Sequence, residues 1–193
     1  MAAPVEITPV DLVGDAIGDM ENYGGPDQAI YLFGAPDSEW WSEELGRDLH
    51  PGTFGENLTL SDLESAQACI GDRFAIGPVV LEVTALRIPC VTLAVRMGGP
   101  TFVKRFRRSE RPGLYCRVIR EGEVRVEDPV EHEPCRGEQI PALEVFKTFF
   151  EPNTDERVLR RFLSASIAVR AREVYERRLA LTLARNPDAR SLN

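Results

Sequence analysis

Alternating hydrophobic and polar positions indicate β-strands in the middle of the chain. After the Gly-Asp turn of IGDRFAIG, Phe74 and Ile76 alternate with other residues, and PVVLEVTAL follows as a run rich in β-branched residues. A hairpin is predicted here because two such runs are joined by a short glycine-containing turn. The segment GLYCRVIREGEVRVEDPVE alternates on both sides of Glu121-Gly122 and predicts a second hairpin.

Helical spacing appears in APDSEWWSEELGRDL, where Trp41, Leu45 and Leu49 recur every four residues. Asp37 or Ser38 is the predicted N-cap of this helix, because short polar side chains at that position accept a hydrogen bond from the first turn.

The end of the chain predicts two further helices, with Ser164 between them as the N-cap of the second. Their apolar stripes contain Leu159, Phe162 and Leu163 in the first helix and Ile167, Ala171, Val174 and Tyr175 in the second. We therefore predict a mainly β protein with α additions: a barrel-like domain over residues 1–150 and a helical extension over residues 151–193.

Composition narrows the class of protein. A chain of 193 residues with 43% hydrophobic content is long enough to bury one main core. The sequence has no apolar run of bilayer-spanning length, and MAAPVEITPVD lacks the basic start of a secretory signal. We expect a cytoplasmic protein that does not associate with membranes.

The charge distribution bears on possible partners. The net charge is −8, and residues 1–64 contain 14 acids but only one base, Arg47. Because attraction to phosphates supplies most nucleic-acid affinity, this acidity argues against nucleic acid as a partner.

The cysteine pattern directs attention to one residue. None of the four cysteines forms a CxxC pair, so a structural zinc site is not expected. Cys90 follows Arg87 and Pro89 at the predicted end of a strand, where proline interrupts pairing and the sulfur can project into a cavity. A nearby guanidinium favours the thiolate, which attacks electrophiles or binds a soft metal. The alternative is a cysteine buried for packing alone.

Two other segments are candidates for ligand contacts. PGTFGENLTL combines glycines, hydroxyls and Asn57, which suits either a loop around an anion or heterocycle or an ordinary turn. KRFRRSER is either a solvated basic face or an anion-attracting patch. His50 and His132 lack HExxH spacing and a serine partner, which argues against a metalloprotease or a catalytic triad.

Four segments in order resemble one known pattern: GDAIGD with YGGPDQAIY, then FGENL, then CIGDRFAIGPVVLEVTALRIPC, then RPGLYCRVIREGEV. Together they are similar to the MOSC domain, named for the C-terminal domain of molybdenum cofactor sulfurases, over residues 12–130. The C-terminal helices resemble the helical extension of its free-standing bacterial branch.

This resemblance implies a β-barrel that binds the molybdenum cofactor, with the family cysteine at Cys90 as metal ligand. It also implies reduction of N-hydroxylated or N-oxide small molecules, with electrons from an external reductase. On this hypothesis Phe54, Asn57, Thr59 and Arg87 line the cofactor pocket. Tyr23 is a further candidate cofactor contact, because it stands where the family usually has His before Gly-Gly. Arg73, Arg87 or the basic cluster at 104–111 would then supply the contacts to the cofactor phosphate.

Two alternatives remain open at this point. Cys90 could form a persulfide and transfer sulfur received from a cysteine desulfurase, or the barrel could be a small-molecule binding module without the cofactor. A homodimer is compatible with each of these hypotheses.

Overall fold

The structure is a computed structural model that describes residues 3–14 and 25–185, so Tyr23 lies outside the described residues. In the described part, eight strands are named β1 to β8: Val5–Ile7, Ile30–Gly34, Leu58–Leu60, Arg73–Ile76, Val79–Leu86, Leu114–Arg120, Gly122–Val124 and Val130–Glu133. Six α-helices are named α1 to α6: Ala35–Leu45, Val91–Arg96, Thr101–Ser109, Ala142–Phe149, Glu156–Leu163 and Val169–Arg185. Short 3-10 turns cover Pro26–Gln28 and Ser65–Gln67.

A curled six-stranded sheet organises the fold, with strand order β3-β2-β6-β5-β4-β8. Strands β2 and β3 are parallel, and the other neighbours in this sheet are antiparallel. Strands β1 and β7 form a separate antiparallel pair. The predicted class, mainly β with added helices at the C-terminus, is confirmed.

The first predicted hairpin is confirmed and the second is wrong. β4 and β5 pair through the turn at Gly77-Pro78, with Ile76 opposite Val79. After β6, however, β7 pairs with β1 and β8 pairs with β4. Alternation identifies a strand by its two faces but leaves its partner undetermined, because any strand with a matching buried face can accept it.

Helix α1 is confirmed, but its predicted N-cap is wrong. The N-cap is Gly34, and Asp37 lies inside the first turn, fully buried. One Asp37 oxygen accepts hydrogen bonds from the Ser65 backbone N–H at 3.0 Å and the Ser65 hydroxyl at 2.6 Å. The other pairs with Arg111 at 2.6 Å. Gly34 is required by space, since a Cβ there would lie 1.7 Å from the Leu63 carbonyl oxygen.

The basic run KRFRRSER forms most of helix α3. Phe102 and Phe106, one turn apart, are buried against Trp41 and Phe54, while the basic residues face outward. The sequence patterns do not predict helices α2, α3 and α4, because each is too short to display a clear helical periodicity.

The two C-terminal helices lie where their apolar stripes predict them. Ser164 is nonetheless the C-cap of the first helix and not the N-cap of the second: its hydroxyl donates to the Arg161 carbonyl. The N–H of Val169, at the start of α6, is instead bonded by the carboxylate of Asp27 at 2.8 Å. A residue 142 positions earlier thus caps this helix.

Two hydrophobic clusters fill the interior of the described residues. The larger lies on the sheet and includes Leu159, Phe162 and Tyr175 from the C-terminal helices, so residues on both sides of position 151 share one core. The smaller is aromatic and contains Tyr31, Phe33, Trp41, Phe54, Phe102, Phe106 and Tyr115. None of the described helices combines the length and apolar character that a bilayer crossing requires.

The buried Asp37 network makes the first testable prediction. Asp37→Ala leaves the Ser65 donors and the Arg111 guanidinium without their acceptor, and we expect a loss of about 3–5 kcal/mol in unfolding free energy. Urea denaturation measures it. Glu44→Ala breaks the exposed pair with Arg105 and should cost less than about 1 kcal/mol. Equal losses of unfolding free energy in the two variants would show that the Asp37 network stabilises the fold no more than an exposed ion pair.

Tyr175 makes the alkaline stability of the fold testable. Burial raises the pKa of Tyr175 from its ordinary 10.0 to about 12, and its hydroxyl donates to the Val145 carbonyl of α4 at 3.2 Å. Since the folded state holds this proton more tightly, the contribution is complete below pH 10 and is lost as the pH rises to 12. We expect this loss to be roughly 2–3 kcal/mol, measured by urea denaturation across this range. Tyr175→Phe should show a correspondingly shallower decline; identical declines would refute the prediction.

Candidate functional site

Cys90 lies at the point where the chain leaves strand β5 and enters helix α2. It is the N-cap of that helix, with φ −126° and ψ 176°, and its sulfur accepts a hydrogen bond from the Leu93 N–H at 3.4 Å. This hydrogen bond stabilises negative charge on the sulfur. The preceding proline keeps the segment out of the sheet. The thiol is half-buried and borders a cavity.

The cavity beside Cys90 has a volume of about 370 Å³ and separates the ends of β5 and β6 from helices α4 and α6. Its walls are largely apolar, and its polar groups are few. The apolar lining includes Leu86, Ile88, Val145, Phe146, Phe149 and Val174; the polar lining includes Gln28, Thr84, Tyr115, Arg170 and Tyr175. A space of this size and composition is typical of small-molecule sites.

Two arginines on either side of Cys90 in the sequence hold one loop. Arg87 Nη1 donates to the Phe54 carbonyl at 2.6 Å, and Arg96 Nη2 donates to the Gly52 carbonyl at 2.7 Å. In the same loop, a Cβ at Gly55 would lie 3.4 Å from Arg87 Nη1 and 3.6 Å from Arg96 Nη1, which are ordinary contact distances. Glycine is favoured at this position by its φ of +77° and not by lack of space.

Glu56 braces the same loop from inside. Its carboxylate accepts hydrogen bonds from the Gly52 N–H at 2.6 Å and the Phe54 N–H at 3.0 Å, and only 9% of the residue is exposed. The loop thus has its carbonyls bound by arginines and its N–H groups bound by a carboxylate. This arrangement fixes the backbone from both sides.

Three predicted cofactor residues lie in or next to this loop. The ring of Phe54 stacks on Phe33 at 4.5 Å within the aromatic cluster, so its carbonyl and not its ring meets Arg87. Asn57 pairs with Tyr31 of β2 twice: its side-chain oxygen accepts at 2.6 Å and its N–H donates at 2.9 Å. Thr59 is exposed on β3 and donates to Glu56 at 3.4 Å.

Arg73 and Tyr23 are not brought to this loop. Arg73 lies on β4 and donates twice to Glu82 of the neighbouring strand, at 2.9 and 2.8 Å. The depressions that it lines contain neither Cys90 nor Arg87. Tyr23 is outside the described residues, and within them no group of three or more His, Cys, Asp or Glu is arranged to hold a metal ion.

Two buried tyrosines accompany Arg87. Burial raises the pKa of Tyr31 well above its ordinary value, although Arg87, whose guanidinium lies 5.0 Å from the ring centre, partly lowers it. Burial also raises the pKa of Tyr115, which Arg87 lowers and Cys90 raises further. Both hydroxyls therefore keep their protons at neutral pH, and that of Tyr31 donates to the Pro112 carbonyl at 2.8 Å.

Sequence reasoning missed several of these residues. Arg96 follows Cys90 by six positions and was not singled out, and Glu56 lies inside the FGENL segment beside Asn57. The wall formed by Phe146, Arg170 and Val174 depends on the docking of α4 and α6, which no local pattern encodes. Arg96 could have been found in the sequence because Arg87 and Arg96 flank Cys90, one on each side.

Comparisons with known proteins place the chain among relatives. The uncharacterized protein YflK of Bacillus subtilis is 40% identical over 111 residues, which are 58% of this chain and 50% of YflK. A protein named Reductase from Gibberella moniliformis is 32% identical over 146 residues, 73% of this chain and 24% of that protein. The chain thus spans half or less of the length of these two relatives.

A solved structure has the same fold. The crystal structure of YiiM from Geobacillus stearothermophilus superposes with a TM-score of 0.80 at 24% identity, covering 93% of this chain and 86% of that one. The MOSC domain family model matches residues 19–131, more than half of the chain, and the resemblance stated from the sequence is confirmed. The chain belongs to the MOSC domain family.

Proposed function

We propose that this chain is a reductase of N-hydroxylated or N-oxide small molecules that uses the molybdenum cofactor, with Cys90 as the metal ligand. MOSC domains are associated with this cofactor, and one relative bears the name Reductase. The main structural support is the position of Cys90 on the wall of the 370 Å³ cavity. In the sequence it is flanked by Arg87 and Arg96, which both hold the loop 52–57.

The residues present fit such a cofactor by their chemistry. Thiolate sulfur is a protein ligand suited to a soft metal centre. Guanidinium groups bind phosphate through paired hydrogen bonds, and those of Arg87 and Arg96 both lie beside Gly55, within contact distance of a Cβ built there. Cys90, Arg87 and Arg96 would hold the group beside the loop 52–57, outside the 370 Å³ cavity, whose lining contains Cys90 but neither arginine.

The cavity supplies the substrate side of the proposal. Reduction of an N-hydroxyl compound takes up two electrons and two protons and releases the amine and water; the bound cofactor would supply the electron exchange. The apolar walls formed by Leu86, Phe146 and Val174 accept a flat ring and exclude water. Tyr115 lines the cavity and keeps its proton at neutral pH, so its hydroxyl would donate a hydrogen bond to the substrate oxygen.

Metal content tests the assignment of Cys90. In a host that makes the cofactor, the wild-type chain should be purified with stoichiometric molybdenum, and Cys90→Ala should lower the molybdenum content on the order of tenfold or more, because the protein's sulfur ligand is lost. Cys135→Ala is the matched control: a half-buried thiol that is not part of the cavity. Elemental analysis of each purified protein, together with reduction of a hydroxylamino compound by reduced methyl viologen, gives the result.

Two outcomes would overturn this function. Metal-free wild-type protein from a competent host, with one extra sulfur on Cys90 by intact mass after incubation with a cysteine desulfurase, would establish a sulfur carrier. Metal-free protein with neither the adduct nor reductase activity would leave a binding module.

The loop that Arg87 holds provides a separate test. Arg87→Met removes the hydrogen bond to the Phe54 carbonyl and the guanidinium beside Tyr31, so the amides of residues 52–57 should exchange hydrogen about tenfold faster. The molybdenum content of Arg87→Met should also be lower than that of the wild type. Arg120→Met, which removes an exposed bond to the Pro78 carbonyl, should leave exchange in this loop unchanged. Unaltered exchange in Arg87→Met would show that the loop is held by other contacts.

A further inference from the structure

A basic groove of about 610 Å³ lies between helices α3 and α4. We call it the α3–α4 groove; its main lining residues are Lys104, Arg107, Arg108, Phe146, Lys147 and Phe150. Such a concentration of positive charge is unusual for this chain, whose net charge is −8. Residues 91–109, which include helix α3, contain five basic residues and no acid.

Helical geometry brings three of these cations to one face. Lys104, Arg107 and Arg108 are spaced i, i+3 and i+4, which places them side by side on α3. Arg105 belongs to the other side of the helix, where it bonds Glu44 of α1. All three groove cations are exposed.

The groove keeps an excess of positive charge. Its acids are Glu110 and Glu151, and Glu110 pairs with Lys147 at 2.7 Å. Among the described residues, no ion pair involves Lys104, Arg107 or Arg108. The Arg107 guanidinium lies 4.2 Å from the Phe150 ring centre, so an aromatic surface adjoins these charges.

The groove adjoins the Cys90 cavity. Phe146 lines both, so the two depressions lie on either side of one side chain of α4. Apolar surface is exposed near the cavity as well: Phe149, which lines it, is 37% exposed, and Val91, directly after Cys90, is 77% exposed. Cationic and apolar groups next to a redox site form a surface suited to a transient protein partner.

We propose that the α3–α4 groove docks an acidic electron-transfer protein beside the Cys90 cavity. The proposal rests on the reductase function above and identifies where reducing equivalents arrive. Its partner class is a flavoprotein with a cluster of carboxylates around its flavin. The flavin hydroquinone would be oxidised to the quinone, and its two electrons and two protons would convert the N-hydroxyl group to the amine and water.

Binding of a bacterial flavodoxin, a small acidic electron-transfer flavoprotein, tests the surface independently of molybdenum. Stopped-flow association with the wild-type chain should be fast at low salt and slow steeply as ionic strength rises. The K104E/R107E/R108E variant should associate on the order of 10- to 100-fold more slowly. The matched control, R125E/R136E/R157E, makes the same change in net charge at exposed residues outside the groove and should retain most of the wild-type rate.

The outcomes separate this proposal from the reductase assignment. Lys104, Arg107 and Arg108 line the groove and not the Cys90 cavity, so the structure does not support the cofactor contacts expected of the 104–111 cluster. Reduced methyl viologen needs no docking surface, so viologen-driven turnover should be equal in the groove variant and the wild type, while flavodoxin-driven turnover should fall with the association rate. If the wild type shows no viologen-driven turnover, the proposed reductase function is refuted. The rates of flavodoxin association would still test the docking surface. Equal flavodoxin rates in the two triple variants, or equally tight binding of a short single-stranded DNA, would overturn the docking proposal.

Discussion

The Arg87 guanidinium joins the three parts of the molecule that form the candidate site. It is attached at the end of β5, donates to the carbonyl of Phe54 in the loop 52–57, and lies against the Tyr31 ring of β2. Cys90 follows it by three residues, and Arg96, six residues further on, holds the same loop, so these two side chains relate the thiol to the loop. A lysine could not replace it, because a compact ammonium lacks the planar face and the spread of donors that these contacts use.

Buried carboxylates stabilise connections near this centre and elsewhere in the fold. Asp37, Glu56 and Asp72 are each 9% exposed or less, and each accepts a backbone N–H: Glu56 from its own loop, Asp37 from Ser65, and Asp72 from Cys69. Asp72 also accepts from Cys135 and contacts His132 at 3.0 Å. Part of the acidity of the first third of the chain therefore serves to fix loops, since a buried carboxylate with several donors is a strong constraint on local geometry.

Local patterns predicted the elements whose signals are local. The β4–β5 hairpin, the helix around Trp41 and the apolar stripe through Tyr175 follow from alternation and helical spacing, and Cys90 was singled out by its position after Pro89. The pairing of β7 with β1, and the capping of α6 by Asp27, involve residues more than 100 positions apart. Such partners are selected by tertiary packing, so no window of sequence contains the information. The roles of Phe54 and Asn57 show the same limit: both lie in the predicted loop, but the ring of one is core and the amide of the other pairs with a strand.

The cavity beside Cys90 has walls of two different origins. On one side are β5 and β6, whose side chains are also committed to the sheet and its core. On the other are α4 and α6, where Val145, Phe146 and Tyr175 belong to the core but Phe149 and Arg170 are exposed. Substitutions at these exposed positions change the shape and charge of the cavity while leaving the cysteine and the two arginines in place. On the proposed function, related proteins can therefore diverge in the molecules they accept by altering the exposed part of one wall, without changing Cys90 or the arginines around it.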